Sequence, residues 1–294
     1  MGDNKVDNYA LFLKDRQILL QDYDFKRGST IGVGGVGKAV FPRSFTELIE
    51  VIDGCNQRGI PCRVLGALSN VLPPETDEKT LYVITRKLKG ITMGDAPLVH
   101  AGVTSGELLR ACKLHGKGGA EFLTGIPCTV GGAAYMNAGV SGRYFSEIVR
   151  SVIVYENGEL KTYAKDECGY SYKNSRFMRG GVIFAIVLDL YDCVPQEIER
   201  RIGEYEQRRK HLPKGRSMGC VFKNPTDLSA GELIEKAGLK GMRVGGAVVS
   251  AQHANFIINE QDATVADVKA LIEKIKQEIL RQFGITLIEE IEYL

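Results

Sequence analysis

The chain contains no run approaching eighteen consecutive apolar residues, which excludes a helix long enough to cross a bilayer. It also lacks a strong excess of one charge. Its 38 lysines and arginines face 36 acidic residues, a net charge of +2. Proteins that grip nucleic acid carry a marked basic field, so that class is not expected. Seven cysteines lie at 55, 62, 112, 128, 168, 193 and 220, yet none forms a CxxC pair and their number is odd. This spacing argues against a disulfide framework and against a zinc site. Most of the thiols read as small buried hydrophobes of a reducing compartment. The opening residues MGDNKVDNYA lack the apolar core of a secretory signal, and a cytoplasmic location is expected. No internal repeat and no low-complexity tract is visible.

The composition is 44% hydrophobic and 25% charged, enough apolar residue for a substantial core. At 294 residues the chain suits one large domain or two ordinary ones. Ser44 with Glu47, and Thr104 with Glu107, form capping-box patterns ahead of helices. IVRSVIVYENGELKTYA predicts two strands joined at Asn157-Gly158, the strongest short hairpin signal. GGVIFAIVLDLYD predicts a buried strand, and Pro195 opens a charged helix. Beyond it the pattern predicts a short helix near 231–237, strands around 242–258, a helix over 264–283 and a final strand in ITLIEEIEYL. Strands and helices mix without a strict βαβ repeat, which favours an α+β fold. The charged helix after Asp192 suggests a domain boundary.

GVGGVGKA, residues 32–39, superficially matches two nucleotide-binding patterns. The phosphate-loop pattern needs Ser or Thr after Lys38 to hold magnesium, and Ala39 stands there. The dinucleotide fingerprint needs a helix opening at its glycines. Here Pro42 would interrupt one, so a tight glycine turn between strands is expected. Two other loops are richer in chemistry. VLGALSNVL, 64–72, and EFLTGIPCTVGGAAYMNAGVSG, 121–142, gather tiny residues that allow backbone N–H groups to approach an anion. Ser69, Asn70, Thr129 and Asn137 add directional hydrogen bonds. Two such loops suit a diphosphate held between them, though each alone also reads as a close-packed turn.

Four long motifs now appear in order. GIPCTVGGAAYMNAG resembles the GIPGTVGGA…MNAG segment of UDP-N-acetylenolpyruvoylglucosamine reductases, and LGALSNVL resembles their LGGGSN loop. GCVFKNP resembles their GS[VF]FKNP, and AGELIEKAGLKGMRVGGAVVSAQHANFIIN resembles their substrate-domain segment. The likeness runs from about Gly28 to the C-terminus, and the apparent lack of a long third-domain insertion matches the shorter, second type of the family. It implies a two-lobed FAD-binding domain of the PCMH/vanillyl-alcohol-oxidase type and a smaller α+β C-terminal substrate domain. The expected partition is an N-terminal helical segment 1–24, a flavin domain 25–192 with lobes 25–92 and 93–192, and a substrate domain 193–294.

The resemblance further implies non-covalent FAD, NADPH as reductant, and a UDP-sugar enolpyruvyl ether as substrate. The product would be UDP-N-acetylmuramate, a peptidoglycan precursor, which ties the chain to cell-wall biogenesis, cell shape and division. A monomer or weak oligomer is expected, with no nucleic-acid or membrane partner and no metal. On this carry-over the cofactor is held by Gly66, Ala67, Leu68, Ser69 and Asn70, and by Gly125, Ile126, Pro127, Thr129, Gly131, Gly132, Ala133, Asn137, Ala138 and Gly139. Hydride passes from the flavin to the enolpyruvyl methylene carbon, and charge builds on the neighbouring carbon and carboxylate. The family assigns an arginine, a glutamate and a serine to this stage. Glu290 matches the glutamate. The arginine position falls on Lys173 in Tyr172-Lys173-Asn174-Ser175, with Arg176 as the alternative; lysine keeps the charge but loses the bidentate fork. The serine position holds Cys220, whose thiol must stay protonated to act as a proton donor, with Ser217 the less favoured stand-in. Tyr172, Ser217, Lys223 and Asn224 are expected to contact the substrate.

Overall fold

The computed structural model describes residues 6–294. The first five residues, part of the expected N-terminal segment, lie outside the described residues. Eight α-helices occur among the described residues: α1 Val6–Asp15, α2 Phe25–Gly28, α3 Phe45–Arg58, α4 Ser105–His115, α5 Val130–Tyr135, α6 Pro195–Arg209, α7 Ala230–Lys236 and α8 Val265–Phe283. None is long and apolar enough to cross a membrane. The chain divides into two compact units. The first comprises Met1–Gln21, Lys38–Ala67 and Lys79–Lys210; the second comprises Asp22–Gly37, Leu68–Glu78 and His211–Leu294. The mixture of helices with parallel and antiparallel strands is the α+β class.

The first unit has two cores. In one, the strands Val36–Val40, Leu81–Ile84 and Cys62–Leu65 run parallel. Their Val40 and Val83 pack with Leu48, Val51 and Cys55 of α3. Ser44 caps α3 by accepting a hydrogen bond from the Glu47 N–H at 3.1 Å. The Glu47 carboxylate accepts from the Arg43 N–H, one residue short of a closed capping box. The other core lies on a five-stranded antiparallel sheet ordered Glu159–Ala164, Val149–Glu156, Val182–Leu188, Leu98–His100 and Ile91–Thr92. Its hairpin turns at Asn157 (φ 55°) and Gly158 (φ 83°), the paired left-handed residues of a type I′ turn. Tyr155 of this sheet donates to the Asp53 carboxylate on α3 at 2.7–2.8 Å, joining the two cores.

The charged helix α6 does not begin a new unit. Its Ile198 is buried, and Ile202 and Tyr205 pack against the antiparallel-sheet core. The break therefore falls after Lys210 rather than at 192/193, because this helix carries an apolar stripe beneath its charged face.

The second unit centres on an antiparallel sheet ordered Arg216–Cys220, Phe256–Asn259, Ala247–Val249 and Arg243–Val244. Helix α8 buries Val268, Leu271, Ile272, Ile275 and Ile279 in the core of this unit. Two earlier segments complete that core with Ile31, Val33 and Leu72. The glycine-rich stretch 32–37 leads into the strand Val36–Val40, not a helix, which removes the dinucleotide reading. It is a connector after α2 rather than a turn between two strands. It is pinned by Asn259, whose amide donates to the carbonyls of Ile31 and Gly32 at 3.1 and 2.9 Å. At Gly35 a Cβ would lie 1.9 Å from the Glu75 carbonyl oxygen, so no larger residue fits. The expected C-terminal strand is regular only at Glu292–Tyr293, parallel to Val71–Leu72; residues 288–290 pair one at a time with 221–223.

Helix α4 carries a complete capping box. The Thr104 hydroxyl accepts from the Glu107 N–H, and the Glu107 carboxylate accepts from the Thr104 N–H. Glu107 also pairs with Lys89. Partial burial would raise its pKa, but the Lys89 and Thr104 hydrogen bonds outweigh it and hold the carboxyl at about 2. A carboxylate depressed in the folded state stabilises fully above its unfolded pKa, about 4.3, and loses that contribution as pH falls toward 2. Glu107→Gln should lower the melting temperature at pH 7 and have little effect near pH 2, as thermal unfolding across that range will show.

Candidate active site

The first glycine-rich loop leaves the parallel strand Cys62–Leu65. Thr85 donates to the Leu65 carbonyl at 3.1 Å, and Arg86 donates to the Ala67 carbonyl. Leu68 is buried in a left-handed conformation, φ 55°. The backbone N–H groups of Gly66, Ala67, Leu68, Ser69 and Asn70 donate to no group among the described residues. Consecutive N–H groups exposed around a left-handed residue make an anion-binding concavity. A Cβ on Gly66 would sit 2.2 Å from the Thr129 hydroxyl. This close approach sets Gly66 against Thr129 of the second loop.

The second loop behaves differently. Thr129 caps α5 by accepting from the Gly132 N–H at 3.2 Å. The N–H groups of Val130 and Gly131 donate to Val103 and Ala101, and that of Ala133 to Thr129. The N–H groups of Gly131, Gly132 and Ala133 are thus committed within the protein. Their small size serves packing: a Cβ on Gly131 would lie 2.7 Å from that of Ala101. Gly125 (φ 73°) accepts from Arg209 at 3.1 Å, and Ser105 donates to the Ile126 carbonyl at 2.6 Å. Pro127 is exposed. Asn137 is buried; it accepts from the Ser146 N–H and donates to the Ser171 carbonyl, both at 2.9 Å. Ala138 bonds back to Ala133, and Gly139 pairs with Tyr144.

Asn137 thereby fixes the turn Ser171–Asn174, whose end residues exchange backbone hydrogen bonds. Lys173 occupies its tip with φ 50°. Tyr172 is exposed and meets the Tyr144 ring edge-on at 6.3 Å. Arg176 lies elsewhere: its guanidinium sits 3.7 Å from the Tyr163 ring centroid and 3.8 Å from Glu156. Arg176 is thus bound to the hairpin.

In the second unit, Cys220 ends a strand that bulges between Ser217 and Cys220, with Gly219 at φ 78°. The Ser217 carbonyl accepts from the Thr30 hydroxyl at 2.6 Å. Beyond Cys220 the chain becomes a central rail. On one side the Glu290 N–H donates to Val221 at 2.7 Å and the Lys223 N–H to Ile288 at 2.8 Å. On the other, Asn255 bonds Val221 and Phe222. The Glu290 side chain is buried. Asn70 donates from its amide to the Glu290 carbonyl at 3.0 Å and accepts from the Glu292 N–H at 3.0 Å. Asn224 accepts from the Ala230 N–H at 3.0 Å, at the start of α7. The fold thus gathers Asn70, Cys220, Lys223 and Glu290, while Lys173 belongs to the first unit. Asn255 escaped the sequence reading; its only signal is an amide inside the otherwise apolar stretch ANFII.

Residues 37–163 match a family model described as an FAD binding domain. Residues 210–294 match the C-terminal domain of UDP-N-acetylenolpyruvoylglucosamine reductase. The enzyme of that name from Moorella thermoacetica is 38% identical over 93% of this chain and 92% of its own. The chain belongs to the UDP-N-acetylenolpyruvoylglucosamine reductase family. A reductase from Thermus thermophilus is 36% identical over 91% of this chain and 96% of its own. The crystal structure of the reductase from Thermus caldophilus superposes with a TM-score of 0.82 at 33% identity, covering 94% of this chain and 99% of that one.

Within this reductase fold the thiols differ in environment. Burial pushes the Cys112 and Cys128 thiols up to about 12, and Cys168 to about 11. Cys220 is only half-buried. Iodoacetamide at pH 8 should alkylate Cys220 in the native protein and leave Cys112, Cys128 and Cys168 unmodified, as peptide mass mapping will show.

Proposed function

We propose that the chain reduces UDP-N-acetylglucosamine enolpyruvate to UDP-N-acetylmuramate, using non-covalent FAD and NADPH, in the cytoplasmic synthesis of peptidoglycan precursors. Through that product it serves cell shape and division, acting as a monomer or weak oligomer. The observation that carries the reading is the pairing of the Cys220 segment with Glu290 inside a chain that belongs to this family over nearly its whole length. The first unit is read as the cofactor unit and the second as the substrate unit. The residues present fit FAD: five uncommitted N–H groups at Gly66–Asn70 suit a diphosphate. Gly125, Ile126, Pro127, Thr129, Gly131, Gly132, Ala133, Asn137, Ala138 and Gly139 are read as the remaining cofactor-binding residues. Bound FAD supplies the hydride for the enolpyruvyl methylene carbon.

The chain's own residues handle the charge and the proton. Lys173, presented on a strained left-handed turn, offers a point charge to the substrate carboxylate, with Tyr172 beside it. Buried Glu290 helps to stabilise or protonate the enol-like intermediate. Cys220 delivers the proton. Lys223, Asn224 and Ser217 receive the UDP portion. A thiol donates only while protonated, so this step weakens as pH rises through the thiol pKa, ordinarily about 8.5.

Cys220→Ala should abolish substrate-dependent NADPH oxidation while NADPH still bleaches the flavin. Cys220→Ser should retain substantial activity and move the alkaline fall of the rate to higher pH. Rapid-mixing absorbance reads both half-reactions. An unchanged second half-reaction in the alanine variant would remove Cys220 from the mechanism.

A further inference from the structure

Cys220 is the last residue of its strand, and the backbone just beyond it has no neighbouring strand on the side of Phe256–Asn259. Phe222 is nonetheless buried at 1% exposure, so its peptide groups need partners. One side chain supplies both. Asn255 accepts from the Phe222 N–H through Oδ1 at 2.9 Å and donates through Nδ2 to the Phe222 carbonyl at 2.8 Å. Its own carbonyl accepts from the Val221 N–H at 2.8 Å. The amide copies the two-bond exchange of an antiparallel strand pair. Asn255 is itself 3% exposed, and its N–H donates to His253 Nδ1 at 3.3 Å. The opposite edge of the same rail holds the Glu290 N–H on the Val221 carbonyl. One buried amide therefore holds Phe222, two residues beyond Cys220, while the backbone carbonyl of the same residue holds Val221, whose own carbonyl receives the Glu290 N–H.

We propose that Asn255 is a positioning residue that fixes Cys220 relative to Glu290. The assignment of what those two groups do rests on the functional reading above; the clamp itself does not. Misplacement of about 1 Å is enough to slow a proton delivery strongly, while binding of nucleotide and reductant, made by other residues, is spared. The effect should fall on one half-reaction and on the chemical environment of one thiol.

The test compares holoenzyme carrying Asn255→Ala with Asn255→Asp, which keeps the acceptor for the Phe222 N–H and loses the donor. In the alanine variant, flavin bleaching by NADPH should stay within about twofold of the parent, and flavin reoxidation by the enolpyruvyl sugar should slow at least about tenfold. The aspartate variant should fall between. Independently of turnover, the pH midpoint for iodoacetamide alkylation of Cys220 should shift in the alanine variant, with melting temperature and flavin content near parental. Equal rates in both half-reactions together with an unmoved alkylation profile would overturn the proposal. So would a proportional loss of both half-reactions with loss of flavin, which marks a merely structural residue. If the parent protein itself shows no substrate-dependent NADPH oxidation, the functional reading fails. The alkylation profile then decides the clamp alone: a shift upholds it and an unmoved profile overturns it.

Discussion

The structure around the candidate site depends on one constraint: buried peptide groups must be paired even where a strand ends. At Val221 and Phe222 the regular ladder stops, and the pairing is taken over on one side by Asn255 and on the other by the backbone of 288–290. A strand edge made of one side chain and one irregular segment tolerates the left-handed Gly219 and the bulge beside it. That local irregularity lets a single residue such as Cys220 depart from strict alternation, which is a common use of bulges near active sites. The C-terminal segment gives up regular strand form for the same reason, since its bonds are spent singly on the rail.

The two glycine-rich loops share a composition but not a physical role. The first leaves its N–H groups uncommitted around a left-handed leucine, so its small residues expose donors. The second spends its N–H groups on Ala101, Val103 and its own cap, so its small residues allow close packing. Composition alone cannot separate these cases, because a glycine is required in both. The distinction lies in which carbonyls happen to stand nearby.

Much of the architecture was legible in the sequence where the signal is local. Ser44, Thr104, Pro195 and the Asn157-Gly158 pair mark helix starts and a hairpin through chemistry confined to a few residues, and each feature is present. The four motifs identified the family, and the comparisons agree. What was not legible is non-local. The break after Lys210 depends on Ile202 and Tyr205 finding a core supplied by residues far earlier in the chain, such as Leu108 and Val152. Asn255 acts on Phe222, 33 residues away, and no pattern of spacing signals such a clamp. The contact of Arg176 with the Tyr163 ring is likewise absent from any local pattern.

The second unit is woven from three stretches of chain, Asp22–Gly37, Leu68–Glu78 and His211–Leu294. Asn259 reaches back across 228 residues to bond Ile31. During synthesis at about 5–20 residues per second, Ile31 and Val33 emerge long before the helix and strands that bury them. Their apolar side chains must wait through the making of nearly the whole first unit. Closure of so long a loop costs entropy that only late contacts repay. Folding of this unit therefore waits on residues made after His211, and an excised piece beginning at His211 would lack part of its own core.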